Sequence, residues 1–152
     1  MFYLYNVLWL LAFPAVILYL ALRRSFTDKY RQNLGPRLGV GLKNLTRPLR
    51  GEVIWVHALS VGEVLSVVSL VHTLRKEFPD YTILITTTTE SGQHVARQKL
   101  TSLDCHFFYM PLDFWFLMQR TVKSIGASLF ILVETDLWPN LFRCLAGEGT
   151  PI

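Results

Sequence analysis

Residues 53–63, VIWVHALSVGE, contain the change of pattern on which the predicted fold rests. Val53 to His57 form a short apolar run of β-branched and aromatic types, which is typical of a strand buried on both faces of a parallel sheet. After Val61 the apolar residues follow the period of a helix packed on a sheet, with the stripe Val64, Val67, Val68, Val71 and Leu74. Residues 60–63 therefore join the carboxyl end of a strand to the first turn of a helix, where ligands bind in open α/β sheets.

Glu63 has two interpretations on this pattern. In the first, Ser60 and Glu63 form a capping box, S-x-x-E, in which each side chain satisfies a backbone N–H group of the other residue. In the second, Glu63 is a general base in a ligand cleft, and Gly62 lets a ligand approach the backbone because it has no Cβ. The helix N-terminus opposes the second role by favouring the ionised carboxylate, unless burial or a nearby negative charge offsets it. Spacing alone favours the cap.

The remaining chain alternates predicted strands with predicted helices. The strands are residues 82–86, 106–110 and 129–133, and the helices are residues 93–100, residues 114–122 and a segment with Pro139 in its first turn. Residues 150–152 are typical of the approach to a fifth strand. This alternation predicts an α/β fold with a doubly wound, Rossmann-like parallel sheet.

Further polar side chains follow the second and fourth strands at the same edge of the sheet. Thr87 and Thr88 are candidates to bond a sugar or phosphate, although β-propensity and helix capping explain them equally well. Glu134 and Asp136 form a second acidic pair. Either Asp136 caps the next helix and Glu134 is solvated, or Glu134 faces Glu63 across a cleft and offsets the helix dipole there.

The histidines and cysteines give no catalytic or metal-binding pattern. His57 ends the first strand, and a satisfied histidine at the edge of the core is favoured over a ligand contact. Cys105 and Cys144 lie in apolar contexts without metal-ligand spacing. They are predicted to be reduced core thiols of a cytoplasmic domain, and no metal site is expected.

The N-terminal segment predicts a membrane anchor. Residues 2–22 contain no charged residue and reach about 30 Å as a helix, enough to cross a bilayer core. Arg23 and Arg24 follow directly, which predicts that the rest of the chain is cytoplasmic. The aromatic residues expected to sit at the membrane interfaces are Tyr3, Tyr5, Trp9 and Tyr19.

Charge is concentrated beside this anchor. Residues 23–50 contain eight Lys or Arg and one Asp, whereas residues 51–152 contain seven basic and ten acidic residues. A basic segment next to an apolar helix indicates binding to an anionic membrane surface. The sequence lacks the interleaved basic and aromatic residues that would indicate nucleic-acid binding. Because Gly35, Pro36, Gly39, Gly41 and Pro48 interrupt it, the connector at residues 25–50 is predicted to be a basic, solvated linker.

Four motifs together resemble a known family. HALSVGE at residues 57–63, TTTTESG at 86–92, MPLD at 110–113 and VETDLWPN at 133–140 resemble the Kdo transferases. Those enzymes attach 3-deoxy-D-manno-octulosonic acid (Kdo) to the lipid A precursor of Gram-negative bacteria. The resemblance spans essentially the whole chain. It implies a GT-B glycosyltransferase with two Rossmann-like domains, of which residues 51–152 are part of the acceptor domain.

The resemblance also implies roles for single residues. Glu63 becomes the proton acceptor and Glu134 the transition-state stabiliser, and the acceptor-binding residues become Ser60, Gly62, Thr87, Thr88 and Asp136. The donor CMP-Kdo is held by a C-terminal domain absent from this chain, and no cofactor or metal is implied. Residues 1–22 become a single-pass anchor in the bacterial inner membrane, and residues 23–50 a basic connector.

Two other classes of protein remain open on the sequence alone. One is a membrane-tethered domain that binds an acidic sugar lipid without catalysis, and the other is a structural module in which Glu63 is only a cap. If the chain is a transferase fragment, it is expected to be inactive alone, with Glu63 and Glu134 facing open water.

Overall fold

Four parallel strands form the sheet of the computed structural model, which describes residues 4–15, 34–134 and 138–152. The strands are β1 (Val53–His57), β2 (Thr82–Thr87), β3 (His106–Tyr109) and β4 (Leu129–Leu132). They are arranged in the order β3-β2-β1-β4, so β1 is central, and all five of its residues are buried. Trp55 pairs with Leu84 of β2 on one side and with Phe130 of β4 on the other. The predicted parallel sheet is confirmed.

The helices are α1 (residues 4–15), α2 (Leu34–Arg37), α3 (Leu42–Thr46), α4 (Val61–Glu77), α5 (Glu90–Leu100), α6 (Trp115–Ile125) and α7 (Pro139–Gly147), with a 3₁₀ turn at Thr101–Leu103. Helices α4 to α7 agree with the predicted ones except at their ends, whereas the short helices α2 and α3 lie where the glycines and prolines predicted no regular element. Helix α5 starts three residues earlier than predicted because the Thr89 hydroxyl accepts a hydrogen bond from the Gly92 N–H group. Helix α6 continues to Ile125, three residues beyond the predicted end, and Gly126 with its φ of +58° ends it.

Helices cover both faces of the sheet. On one face, Trp55 and Phe130 meet edge to face at 4.8 Å and pack with buried residues of α6 and α7. On the other face, Ile54 and Val56 pack with buried residues of α4 and α5. Successive residues of a strand point to opposite faces. Because both faces are covered, β1 needs a continuous apolar run rather than an alternating one.

The described part of the basic connector is packed on the domain. Leu42 of α3 is 1% exposed and joins the core cluster that includes Met118 and Val122 of α6. The carbonyl of Arg37 accepts a hydrogen bond from the N–H group of Leu112 at 2.9 Å. The prediction of a solvated linker is therefore wrong for residues 34–50, because leucines of this segment pack into the core. Residues 23–33 lie outside the described residues.

Helix α1 contacts the domain along one side. The Tyr5 hydroxyl donates to Asp113 at 2.8 Å, and the rings of Trp9 and Phe13 meet Phe114 edge to face. Leu11, on another side of α1, is 72% exposed. Among the described residues, no helix is long and apolar enough to cross a membrane. Residues 2–3 and 16–22 of the predicted anchor, with Tyr3 and Tyr19, lie outside that part of the chain.

The direction of strand addition reverses at β1. Strands β2 and β3 lie on one side of it, and β4 lies on the other, so the loops after β1 and β4 diverge from a topological switch point. These loops start side by side, because the Val133 N–H group donates to the His57 carbonyl at 3.0 Å. At the other edge of β4, the Phe130 N–H group donates to the Pro151 carbonyl, in the position predicted for a fifth strand.

Candidate active site at the switch point

Glu63 lies in the first turn of α4 and is 6% exposed. The Leu59 backbone N–H group donates to its Oε2 at 2.6 Å, and the Ser60 hydroxyl donates to its Oε1 at 3.0 Å. These two bonds hold the carboxylate in one orientation against the Glu63 loop (residues 58–60, between β1 and α4). Each oxygen of an ionised carboxylate has about two acceptor sites, so the group keeps capacity for a ligand hydroxyl. The expectation that Glu63 faces open water in this chain is wrong, because the loop covers it.

The predicted capping box forms only in part. Ser60 is the N-cap of α4, and its carbonyl accepts the first helical bond, from Val64. Its hydroxyl, however, bonds no helical N–H group. Glu63 bonds the N–H group of Leu59, one residue before the position that a capping box requires. The reciprocal box is therefore wrong in detail, and the Ser60 hydroxyl serves the carboxylate instead of the helix.

The β2–α5 loop supports the Glu63 loop. The Leu59 carbonyl accepts hydrogen bonds from the N–H groups of Thr88 and Thr89 and from the Thr89 hydroxyl, at 3.1 to 3.3 Å. Thr87 is fully buried, and its hydroxyl donates to Gln93 Oε1 at 2.7 Å. The Thr88 hydroxyl is buried and has no hydrogen-bond partner among the described residues. Of the two predicted threonines, Thr88 presents the unused hydroxyl.

Two glycines near Glu63 have different roles, since one borders open space and the other permits a close contact. A Cβ on Gly62 would meet no described atom within 4 Å, so this side of α4 is open to a ligand. A Cβ on Gly92 would lie 2.8 Å from Thr89 Oγ1 and 3.3 Å from the carbonyl carbon of Ser60. Gly92 therefore lets α5 approach the Glu63 loop closely. The sequence pattern indicated Gly62 but not Gly92, because the Gly92 contact joins residues that are far apart in the chain.

Glu134 follows β4 in a left-handed backbone conformation, with φ of +67°, and is exposed. This conformation costs a non-glycine residue on the order of 1 kcal/mol or more, and such strain clusters at functional sites. The switch point places Glu134 at the same sheet edge as the Glu63 loop, but no hydrogen bond joins the two side chains in the described part of the chain. Their pairing stays a prediction. Asp136 lies outside the described residues.

Asp113 caps α7 from a distant loop, and sequence reasoning missed this role. Its Oδ2 accepts hydrogen bonds from the Asn140 N–H group at 3.1 Å and the Tyr5 hydroxyl, and its Oδ1 accepts one from the Leu141 N–H group at 3.0 Å. Burial raises the pKa of Asp113, and these three hydrogen bonds oppose that effect. No local spacing links Asp113 to a helix 27 residues away.

His57 is buried and neutral beside the Glu63 loop. Its Nδ1 lies 3.1 Å from the Thr86 carbonyl, which can only accept, so Nδ1 carries the proton. Burial, together with the positive charge of Arg37, lowers the pKa of His57 to about 4 against the opposing effect of the Thr86 bond. Its Nε2 is buried without a hydrogen-bond partner among the described residues. The prediction of a satisfied histidine is therefore confirmed for Nδ1 and wrong for Nε2.

Two neighbouring cavities share Trp9, and the first of them is also lined by Leu59 of the Glu63 loop. The first, of about 310 Å³, is lined by Tyr5, Trp9, Arg37, Leu59, Leu112, Asp113 and Trp138. The second, of about 500 Å³, is mainly apolar and is lined by Asn6, Trp9, Leu10, Phe13, Phe114, Trp115, Phe116 and Arg143. A cavity at the Glu63 loop that holds the charged groups of Arg37 and Asp113 therefore adjoins a mainly apolar cavity.

The two cysteines are unpaired and lie in apolar surroundings. Cys105 and Cys144 are free thiols, and burial raises the pKa of Cys105 to about 11, which makes it a poor nucleophile at neutral pH. Both cysteines lie in or against the hydrophobic core, as predicted. Within the described ranges, no group of His, Cys, Asp or Glu side chains has a metal-binding arrangement.

The fold and the site thus define the class of this protein. It is a Rossmann-like α/β domain with a buried glutamate at its switch point. Residues 32–152 match the family model described as 3-Deoxy-D-manno-octulosonic-acid transferase (kdotransferase). The chain belongs to this family of glycosyltransferases, and the predicted resemblance to Kdo transferases is confirmed.

Curated relatives carry the same description. The chain is 35% identical over 150 residues to the 3-deoxy-D-manno-octulosonic acid transferase of Haemophilus influenzae, a match that covers 98% of this chain and 34% of the relative. It is 32% identical over 141 residues to the transferase of Chlamydophila psittaci, covering 93% of this chain and 32% of the relative. The chain therefore spans about a third of the length of these relatives and matches their N-terminal part.

Proposed function

We propose that this chain is the acceptor-binding part of a transferase that moves Kdo from CMP-Kdo to the lipid A precursor, with inversion at the anomeric carbon. The observation that carries the proposal is the Glu63 carboxylate, which is fixed by two donors at the switch point and keeps acceptor capacity. Membership of the family supplies the reaction class. The family resemblance makes Glu63 the base.

In the proposed mechanism, Glu63 takes the proton of a glucosamine hydroxyl on the acceptor. The hydroxyl oxygen attacks the anomeric carbon of Kdo, and CMP leaves with the bonding electron pair. The transition state then carries oxocarbenium-like positive charge, as in glycoside hydrolysis, and the negative charge of Glu134 stabilises it. Ser60 holds Glu63 in position. Gly62, Thr88, Thr87 and Asp136 are the proposed acceptor contacts, of which Thr87 would first have to give up its bond to Gln93.

The proposed enzyme has a second Rossmann-like domain that binds CMP-Kdo and completes a GT-B fold. The length of the relatives supports this part of the proposal, because about two thirds of each lies outside the matched region. The proposed transfer uses no metal or cofactor, as the family resemblance implies. Residues 1–22 are proposed to anchor the enzyme in the bacterial inner membrane, with the catalytic domain in the cytoplasm.

A lipid acceptor suits the surface beside the site. The apolar cavity of about 500 Å³ adjoins the cavity that holds Arg37 and Asp113, and α1 exposes leucines such as Leu8 and Leu11. An exposed apolar patch next to a cleft with charged groups is typical of a site that takes an amphipathic ligand or contacts a membrane.

The test uses the protein completed to the length of its relatives, either from its own reading frame or with the corresponding part of the Haemophilus influenzae transferase. It is incubated with CMP-Kdo and the lipid A precursor, and mass spectrometry is expected to find a Kdo-bearing lipid. Glu63→Gln should remove most of the product, whereas Glu77→Gln, at an exposed position on the same helix, should not. A folded wild-type protein that binds the acceptor without transferring Kdo would contradict the proposal and favour a non-catalytic, lipid-binding domain.

A further inference from the structure

Arg37 is a partly buried arginine that has no matching anion among the described residues. It lines the cavity of about 310 Å³, and its Nε is buried without a hydrogen-bond partner. In the described part of the chain its side chain forms no ion pair. Burial lowers the pKa of Arg37, and none of the described carboxylates opposes the shift. An arginine nevertheless keeps its charge in proteins, so the cavity wall carries an uncompensated positive group.

The described carboxylate that lines the same cavity is already occupied. Asp113 lines the same cavity, but its two oxygens accept hydrogen bonds from Tyr5, Asn140 and Leu141. Its charge is therefore directed to the N-terminus of α7. A buried charge without a partner is strongly unfavourable. A cavity that retains one is best explained by a ligand that brings the counter-charge.

The position of the cavity relates Arg37 to the candidate base. Leu59 of the Glu63 loop lines the cavity, and its N–H group donates to Glu63. Trp9 and Trp138 also line the cavity and offer aromatic faces of the kind that pack on sugar rings. The guanidinium fork matches the oxygens of a phosphate or carboxylate in geometry and charge.

We propose that Arg37 binds an oxyanion on the sugar headgroup of the acceptor, a phosphate in the lipid A precursor, and so positions the acceptor hydroxyl beside Glu63. This inference rests on the proposed function, and it assigns a positioning residue that sequence reasoning treated as one of eight basic residues in the connector. Arg37 acts by holding the headgroup and takes no part in proton transfer.

The kinetic test compares phosphorylated and dephosphorylated acceptor in the completed protein. Arg37→Gln is expected to lower kcat/KM for the phosphorylated acceptor by about 10- to 100-fold, the effect of losing a charge-assisted bond. For the dephosphorylated acceptor the loss should stay within about threefold. Arg37→Lys keeps the charge without the fork and should fall between the two.

Arg47→Gln, at an exposed position of the same connector, is the matched control. It should resemble the wild type with both acceptors. An equal loss with both acceptors in Arg37→Gln would mean a structural role for Arg37 and would overturn the inference.

Binding provides a readout that does not depend on turnover. Occupation of the cavity should change the fluorescence of Trp9 and Trp138, and Arg37→Gln should weaken binding of the phosphorylated acceptor but not of the dephosphorylated one. If inorganic phosphate alone binds through Arg37 while the two acceptors bind equally well, the site is one for free phosphate, and the acceptor assignment is wrong. If the wild type binds as expected but transfers nothing, the proposed function fails while this inference stands.

Discussion

At the scale of single residues, Glu63 separates a catalytic role from a structural one. As a general base it should contribute about 10²- to 10⁴-fold to turnover, so Glu63→Gln should keep the fold and lose that factor in kcat. As a cap alone, its loss should lower the free energy of unfolding by about 1 kcal/mol and leave kcat nearly unchanged. The bonds from Leu59 and Ser60 survive in part with a Gln side chain, because its carbonyl oxygen still accepts. Urea unfolding of the Glu63→Gln sample used for the kinetics separates the two roles, because only the capping role predicts a loss of stability with nearly unchanged kcat.

His57 predicts a dependence of stability on pH. Its pKa is about 4 in the folded protein, against the ordinary histidine value of 6.5 that represents the unfolded chain. Below about pH 6.5 the His57 side chain is therefore protonated in the unfolded chain, whereas in the folded protein it stays neutral down to about pH 4. Lowering the pH through this range therefore favours unfolding. The contribution is fully present above about pH 6.5, and up to about 3 kcal/mol is lost by about pH 4.

His57→Gln should flatten this part of the profile, measured as the free energy of urea unfolding at about pH 7 and about pH 4.5. His72→Gln, which replaces an exposed histidine on α4, is the matched control and should keep the wild-type slope. Equal slopes for His57→Gln and wild type would mean that the buried ring is already charged or becomes hydrated in the folded protein.

At the scale of elements, the contact between α5 and the Glu63 loop depends on Gly92. In Gly92→Ala the added methyl group would lie 2.8 Å from Thr89 Oγ1, and that hydroxyl also donates to the Leu59 carbonyl. The clash has to displace the cap of α5 or the loop that carries the donors of Glu63. We expect a loss of about 1–3 kcal/mol in stability, as in other overpacked sites. Turnover should also fall by about tenfold or more, because small displacements of a catalytic group are costly.

Gly147→Ala is the control for this change, since a Cβ at Gly147 meets no described atom within 4 Å and the residue lies at the end of α7. It should keep wild-type turnover and stability, or gain a few tenths of a kcal/mol from helix propensity. A Gly92→Ala variant with normal turnover would show that the loop does not need its present position.

At the scale of the whole molecule, the 152-residue chain alone should not transfer Kdo. It spans about a third of the length of its relatives, and inverting transfer requires donor and acceptor to be held in line. The purified chain is incubated with CMP-Kdo and the lipid A precursor, and the completed protein serves as the positive control. Product above the buffer blank would place the donor site within these residues and contradict the two-domain proposal.

Local sequence patterns were sufficient for the four strands, for helices α4 to α7 and for the class of protein, but not for α2 and α3 of the connector. The run at residues 53–57 predicted β1 with its observed bounds, and the apolar stripe of α4 is the one that the structure buries, apart from Val68. Such patterns are readable because strand and helix periodicities depend on neighbours in the chain. The four motifs indicated the family for the same reason, since each lies within a few consecutive residues.

Which side chains meet depends on the packing of the whole domain. Asp113 caps a helix 27 residues away, Gly92 faces the carbonyl carbon of Ser60, and Arg37 shares a cavity with Leu59. The switch point at β1 likewise depends on β4 adding to the opposite side from β2. Local sequence patterns cannot predict these contacts, because they join residues on elements that are far apart in the sequence. The same packing buries Leu42 of the connector, a segment that composition had assigned to solvent.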